Sequence, residues 1–190
     1  MKESVIIEPY NDNWPKIYNE LRCQIVSQVG NTIHRIDHIG STAVVGLAAK
    51  PIIDIQISVP DLDNIEEVKS GLQEMGFEHR KDNPDLTKRY FREKSGMRRT
   101  HIHIRQSGSW SEQLNLLFRD YLREHEYAKM KYAEVKYELA NLYKDDRDKY
   151  VEGKAEIVWD ILMNANQWSQ KVGWKPIIEG LEPNSQQYIG

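Results

Sequence analysis

His38-Ile-Gly-Ser-Thr42, followed after a short loop by Lys50-Pro-Ile-Ile-Asp-Ile-Gln-Ile57, reads as a strand that ends in a Gly-Ser turn and a second strand that carries a carboxylate among isoleucines. In that second strand Ile53, Ile55, Ile57 and Val59 alternate with Asp54, Gln56 and Ser58. A period of two gives the two sets opposite faces of a sheet, so the isoleucines are expected to face the core and the polar set the other way. The turn Gly40-Ser41-Thr42 offers backbone N–H groups and two hydroxyls at one point, which suits a phosphate. Glycine matters there because a side chain would block close approach. An isolated Gly-Ser pair is more often only a sharp turn, and context has to decide.

Asp54 supplies part of that context. A carboxylate in an apolar strand is costly unless it lines a cleft, pairs with a cation or holds a metal. Lys50 is the nearest candidate cation, and a structural ion pair is the plain alternative. Thr100-His-Ile-His-Ile104 puts His101 and His103 on one face of a further strand. If that strand lies beside Asp54, one Asp and two His can bind a divalent ion, and Mn²⁺, Zn²⁺ or Fe²⁺ suits nitrogen ligands better than Mg²⁺. A polar, solvent-facing histidine pair is the alternative. His38, close to the turn, is a second-tier candidate; His34, His79 and His125 read as surface or core-edge residues.

Around this centre, Val5 to Pro9 reads as extended. Asn13 is expected to cap a helix with Trp14, Ile17, Leu21, Ile25 and Val29 on one face. Ile33 to Ile39 and Pro51 to Val59 are the first sheet strands. Leu62, Ile65, Val68, Leu72 and Met75 form a helix after an Asp61 cap, closed by Gly76. Lys88 to Lys94 and Arg98 to Arg105 are strands joined at Ser95-Gly96-Met97. From Ser109 three amphipathic helices follow, marked by Leu114 to Leu122, Ala128 to Leu142 and Val151 to Leu162. The class is α+β: a mixed β-sheet with flanking helices and a C-terminal helical lobe. Residues 1–108 are expected to form the α/β core, 109–166 the lobe, and 167–190 a tail that lies over the domain or docks on a partner. In the lobe, Arg119, Lys136 and Lys154 can converge on a triphosphate, since Arg grips phosphate with a fork and Lys adds a point charge. Solvated helix faces with i,i+4 pairs explain such charges equally simply.

The composition, with 39% apolar and 29% charged residues, is that of a globular chain. With 26 Lys+Arg against 29 Asp+Glu, it lacks the basic excess that drives binding to polymeric nucleic acid. The one cysteine, Cys23, rules out an intrachain disulfide and a Cys-based zinc cluster and fits a reducing cytoplasm. Neither a targeting segment nor a spanning apolar stretch is visible, so no membrane partner is expected. Oligomeric state is left open.

The run from His38 to Ile55, the His101-Ile-His103 strand, and Phe118-Arg-Asp-Tyr-Leu-Arg123 with the Tyr150 to Lys154 segment together resemble the GrpB family. That family resembles a branch of the nucleotidyltransferase superfamily, whose members, such as kanamycin nucleotidyltransferase and DNA polymerase β, share a mixed sheet and a Gly-Ser turn before an acidic strand. GrpB domains also occur fused to dephospho-CoA kinase, which implies nucleotide or coenzyme metabolism. In the enzymes, two carboxylates one residue apart and a third on a neighbouring strand hold two Mg²⁺ ions around the transferred phosphate. By resemblance Asp54 matches the first acid, Gln56 stands at the second position with a carbonyl oxygen but no charge, and the His101/His103 strand takes the third place. Val45 stands where the family often has proline. The resemblance implies a nucleotidyltransferase-like protein that binds a nucleotide or other phosphorylated small molecule with a divalent metal, Mg²⁺ or Mn²⁺ and also Zn²⁺, and transfers a nucleotidyl group. Asp54, His101 and His103 would be the catalytic and metal residues. Gly40, Ser41, Thr42, Lys50, Arg119, Lys136 and Lys154 would hold the substrate. The competing readings are a non-catalytic nucleotide or metabolite-binding module and a protein-interaction module.

Overall fold

A computed structural model describes residues 4–177. Among them five strands make one mixed sheet: β1 (Arg35–Ile39), β2 (Ile53–Val59), β3 (Phe77–His79), β4 (Arg89–Glu93) and β5 (Thr100–Gln106). Their order is β1-β2-β5-β4-β3, with β2 and β5 parallel and the other pairs antiparallel. The register sets Asp54 beside His101 and Gln56 beside His103, so the polar residues of the two central strands share a face.

The opposite face is the main core. Ile55, Ile57, Ile102 and Ile104 are fully buried, each contributing roughly 1.5–3 kcal/mol through burial. They pack under α1 (Trp14–Val29) and α2 (Glu66–Glu74) through Ile25, Val29, Val68 and Leu72. Pro15 in the first turn of α1 starts that helix without losing a needed donor. Asn13 makes no side-chain cap; Asn11 Oδ1 accepts from its backbone N–H instead. Asp61 likewise holds a turn, accepting from Asp63 N and Asn64 Nδ2, and α2 begins later, at Glu66.

Four helices follow among the described residues: α3 (Trp110–Glu124), α4 (Glu126–Leu142), α5 (Arg147–Gly153) and α6 (Ala155–Val172). Ser109 caps α3 through its hydroxyl, and Glu112 accepts at 2.6 Å from Gly108 N, one residue before the cap. α3 lies against the polar face of the sheet, where Asn115 Nδ2 donates to Gln56 Oε1 at 2.8 Å and Gln56 Nε2 donates to the Glu112 carbonyl at 3.3 Å. Val44 and Leu47, from the loop after the Gly-Ser turn, are buried among Leu122, Tyr132, Ile157 and Ile161. That second core pins the turn to the lobe.

Val5 to Pro9 makes a single bridge, Glu8 to Ala49, and Val5 N donates to Lys144 O at 2.7 Å. The short strand β3 was not foreseen. The third lobe helix is two, divided at Lys154, and α6 runs to Val172, through the first residues of the expected tail. Residues 178–190 of that tail lie outside the described residues, whereas Trp174 Nε1 donates to Asp120 Oδ2 at 3.1 Å. No helix among the described residues is long and apolar enough to cross a membrane.

Candidate functional site

The end of β1 delivers the chain into Gly40, whose φ of +71° and ψ of −171° belong to a region that only glycine adopts readily. A Cβ at this position would meet Asp54 Oδ2 at 2.7 Å. Glycine therefore lets the turn lie directly over the carboxylate. Ser41–Ala43 form a 3₁₀ turn behind it. Thr42 is buried; its hydroxyl donates to the Ile52 carbonyl at 3.1 Å, so His38 Nε2, 3.0 Å away, donates to Thr42 Oγ1. Burial foremost, with nearby arginines, pushes the His38 pKa down to about 3, and its neutral ring stacks on Tyr18. His38 and Thr42 thus brace the turn from inside.

Asp54, His101 and His103 come together across β2 and β5. His101 Nδ1 lies 3.1 Å and His103 Nε2 3.6 Å from Asp54 Oδ1, and one ligand atom from each residue falls within 4.8 Å of the others. Ligands roughly 2.1 Å from one metal stand about 3.0–3.4 Å apart, so small shifts suffice for these three groups to hold one ion. Burial alone would raise the Asp54 pKa, but hydrogen bonds from both imidazoles outweigh it and hold the carboxyl well below the usual range. Burial pushes His103 down against the pull of Asp54, toward the neutral form that ligates metals. His101 Nε2 and His103 Nδ1 find no hydrogen-bond partner among the described residues. Tyr90, on β4, packs its ring against both imidazoles. Gln56 is fully buried, with both ends of its amide taken by α3, so it offers the cluster no oxygen.

Beside the cluster opens a cavity of about 250 Å³ whose lining includes Gly40, Ser41, Asp54 and His101 from the sheet side and Lys136 and Lys154 from the lobe. Lys136 Nζ donates to Ser41 Oγ at 3.1 Å and to the Ala48 carbonyl, and lies 4.5 Å from the Tyr132 ring centroid. Lys50 and Lys154 stand on the ring of Tyr150, 5.1 and 4.9 Å from its centroid. Burial first, then the neighbouring cations, lowers the pKa of Lys136 to about 7 and, with Lys50, that of Lys154 to about 8; burial and Arg147 lower that of Lys50. Lys50, Lys136, Arg147 and Lys154 all line the cavity, and none is ion-paired among the described residues.

Of the sequence candidates, Gly40, Ser41, Thr42, Lys50, Asp54, His101, Lys136 and Lys154 meet at this cavity, and His103 joins them through Asp54. Arg119 does not line it. Its guanidinium is buried behind β1, donating to the His38 carbonyl at 3.1 Å, to Asp37 at 3.4 Å and to Asp120 at 2.7 Å. Tyr132, Arg147 and Tyr150 went unpredicted. Tyr132 and Tyr150 each stand one helical turn before a candidate lysine, a spacing that marks them in retrospect.

Sheet order, the Gly-Ser turn over an acidic strand and the helical lobe define a nucleotidyltransferase-like fold. The GLD-2/RNP-8 complex shares it, with a TM-score of 0.59 at 12% identity over 87% of this chain and 66% of that one; at that identity the likeness is one of fold. A family model described as GrpB protein matches residues 4–164, and the chain belongs to the GrpB family. The crystal structure of the conserved protein GrpB from Enterococcus faecalis is similar, with a TM-score of 0.80, 30% identity and coverage of 87% of this chain and 99% of that one. The UPF0157 protein YqkA of Bacillus subtilis is 32% identical over 89% of this chain but 49% of its own length. A dephospho-CoA kinase of Mycolicibacterium paratuberculosis is 29% identical over 90% of this chain and 48% of its own. The chain thus spans about half the length of these two relatives.

Proposed function

We propose that the cavity binds a nucleotide or another phosphorylated small molecule together with one divalent ion. The observation that carries this reading is the convergence of Lys50, Lys136, Arg147 and Lys154, without carboxylate partners among the described residues, around a cavity that also holds Asp54 and His101. Four cations brought together in a chain of net charge −3 repel one another, and a polyanion relieves that repulsion. Asp54 and the two imidazoles that face it, His101 through Nδ1 and His103 through Nε2, bring three ligand atoms within 4.8 Å of one another, a donor set that suits a divalent ion. An ion bound by Asp54, His101 and His103 would supply neutralising charge at a phosphate oxygen. Ser41 and the turn backbone would orient the phosphate, and Lys136 holds Ser41 in place.

Nucleotidyl transfer would join an acceptor oxygen to the α-phosphorus, break the bond to pyrophosphate and release the acceptor proton. Chemistry of the two-ion kind draws on more than one carboxylate. Gln56, sealed under α3, leaves Asp54 alone, and ligand binding with a single ion is the better supported function. Thermal-shift titration with ATP and Mn²⁺, Mg²⁺ or Zn²⁺ tests it. The expected result is a metal-dependent rise in melting temperature that Asp54→Asn abolishes and Lys154→Ala reduces. No rise in the parent protein, or an undiminished rise in Asp54→Asn, would refute the reading.

A further inference from the structure

A second cavity, of about 280 Å³, abuts the first and shares Lys50, Ile52 and Arg147 with it. Its outer wall is the N-terminal segment, Ser4 to Glu8, fastened at Val5 to Lys144 and at Glu8 to Ala49. Val5, Ile6, Pro51 and Ile52 make it apolar, and Arg99 adds a further guanidinium beside Arg147. Arg99 is oriented by Glu93 Oε1, 3.0 Å from its Nε.

Each cavity taken alone, at about 250 and 280 Å³, is smaller than the ~300–1,000 Å³ usual for ligand sites, so the first accommodates a phosphate chain and ion better than a nucleotide together with a reaction partner. The uncharged base and ribose of a nucleotide have no need of Arg99. A lining that is mostly apolar and also carries guanidinium groups instead fits an apolar body that carries its own anion, since Arg recognises carboxylate and phosphate with a planar fork.

We propose that this second cavity is a separate subsite for a co-ligand with an apolar body and a phosphate or carboxylate head held by Arg99, with Arg147, which lines both cavities, shared with the phosphates of the first. The subsite stands on the lining that the first cavity lacks, Ser4 to Glu8 with Pro51 and Arg99; the role of its occupant as acceptor of a transferred group rests on the function proposed for the first cavity. Phenyl phosphate and phenylacetate, titrated calorimetrically into the full chain, serve as probes, with inorganic phosphate as the control. Saturable binding of either probe is expected, at least tenfold tighter than inorganic phosphate and undisplaced by saturating ATP with Mn²⁺; the tighter probe identifies the head group. Ile6 is 58% exposed, so Ile6→Glu leaves the core intact while setting a like charge against the anion. Ile6→Glu and Arg99→Gln should each weaken the probe at least tenfold, and Ile6→Glu should change ATP–Mn²⁺ affinity less than twofold. Absence of saturable binding, displacement by ATP–Mn²⁺, or unaltered affinity in both variants would overturn the proposal. Probe binding without any ATP–Mn²⁺ binding would refute the function proposed for the first cavity and leave the subsite standing.

Discussion

Two separate constraints fall on Gly40: a positive φ and a carboxylate oxygen where any Cβ would go. Gly40→Ala should therefore destabilise the fold by about 1–3 kcal/mol, the usual cost of a non-glycine residue in this region, and should push Asp54 out of line with the imidazoles. Denaturant unfolding measures the first effect and loss of the Mn²⁺-dependent thermal shift the second. Lys136 and Lys154 carry a pH signature. Unfolded, they titrate near ~10.4; folded, burial and their neighbours bring them to about 7 and about 8. Between those values the unfolded state binds more protons, so their contribution to the stability of the unliganded protein rises with pH from neutrality upward. Anion binding runs the other way. It needs both lysines charged, and metal-free ADP should bind at least tenfold more weakly at pH 9 than at pH 6.5. A flat affinity profile across that range would contradict the role given to these lysines.

At the scale of elements, α3 acts as a strut. Arg119 joins the buried Asp37 and the His38 carbonyl, and Arg123 donates to the Ala43 carbonyl at 3.0 and 2.9 Å. The helix thus holds both sides of the Gly-Ser turn. Arg119→Ala should cost about 3–5 kcal/mol, because it removes one cationic partner of a buried carboxylate. Arg123→Ala should cost roughly 1–2 kcal/mol and weaken ligand binding by loosening the turn; unfolding curves and ATP–Mn²⁺ titration read the two effects separately. From sequence, the Phe118 to Arg123 run suggested a phosphate grip, because an arginine near a phosphate loop has the same composition whether it faces the ligand or the strand. The choice is made by contacts some eighty positions away along the chain, which no local pattern records. β3, Phe77–His79, is too short to display a period of two, and the break at Lys154 leaves no gap in the apolar spacing of α5 and α6. The alternation of Ile53 to Val59 was long and regular enough to assign the faces of β2 correctly.

At the scale of the whole molecule, two apolar cores meet at the loop between Ala43 and Lys50. One lies beneath the sheet, and the other takes Val44 and Leu47 into the lobe. The cavity sits on that seam, with its carboxylate and the His101 imidazole from the sheet and its tyrosines, Lys136 and Lys154 from α4, α5 and the turn that follows. This arrangement explains which parts of the site were legible. Asp54, His101 and His103 belong to adjacent strands, where a period of two places side chains reliably. Tyr132, Arg147 and Tyr150 depend on how the lobe is set against the sheet, which periodicity within single helices leaves undetermined.

The central claim is that one ion and one phosphate chain share this seam. Anomalous-difference crystallography of the full chain with Mn²⁺ and ADP tests it most directly. The account predicts a single manganese peak within about 2.0–2.4 Å of a carboxylate oxygen of Asp54 and a nitrogen each of His101 and His103, with the diphosphate against Ser41, Lys136 and Lys154. A manganese peak away from Asp54, or an ordered ADP whose phosphates avoid all three of those residues, would contradict it.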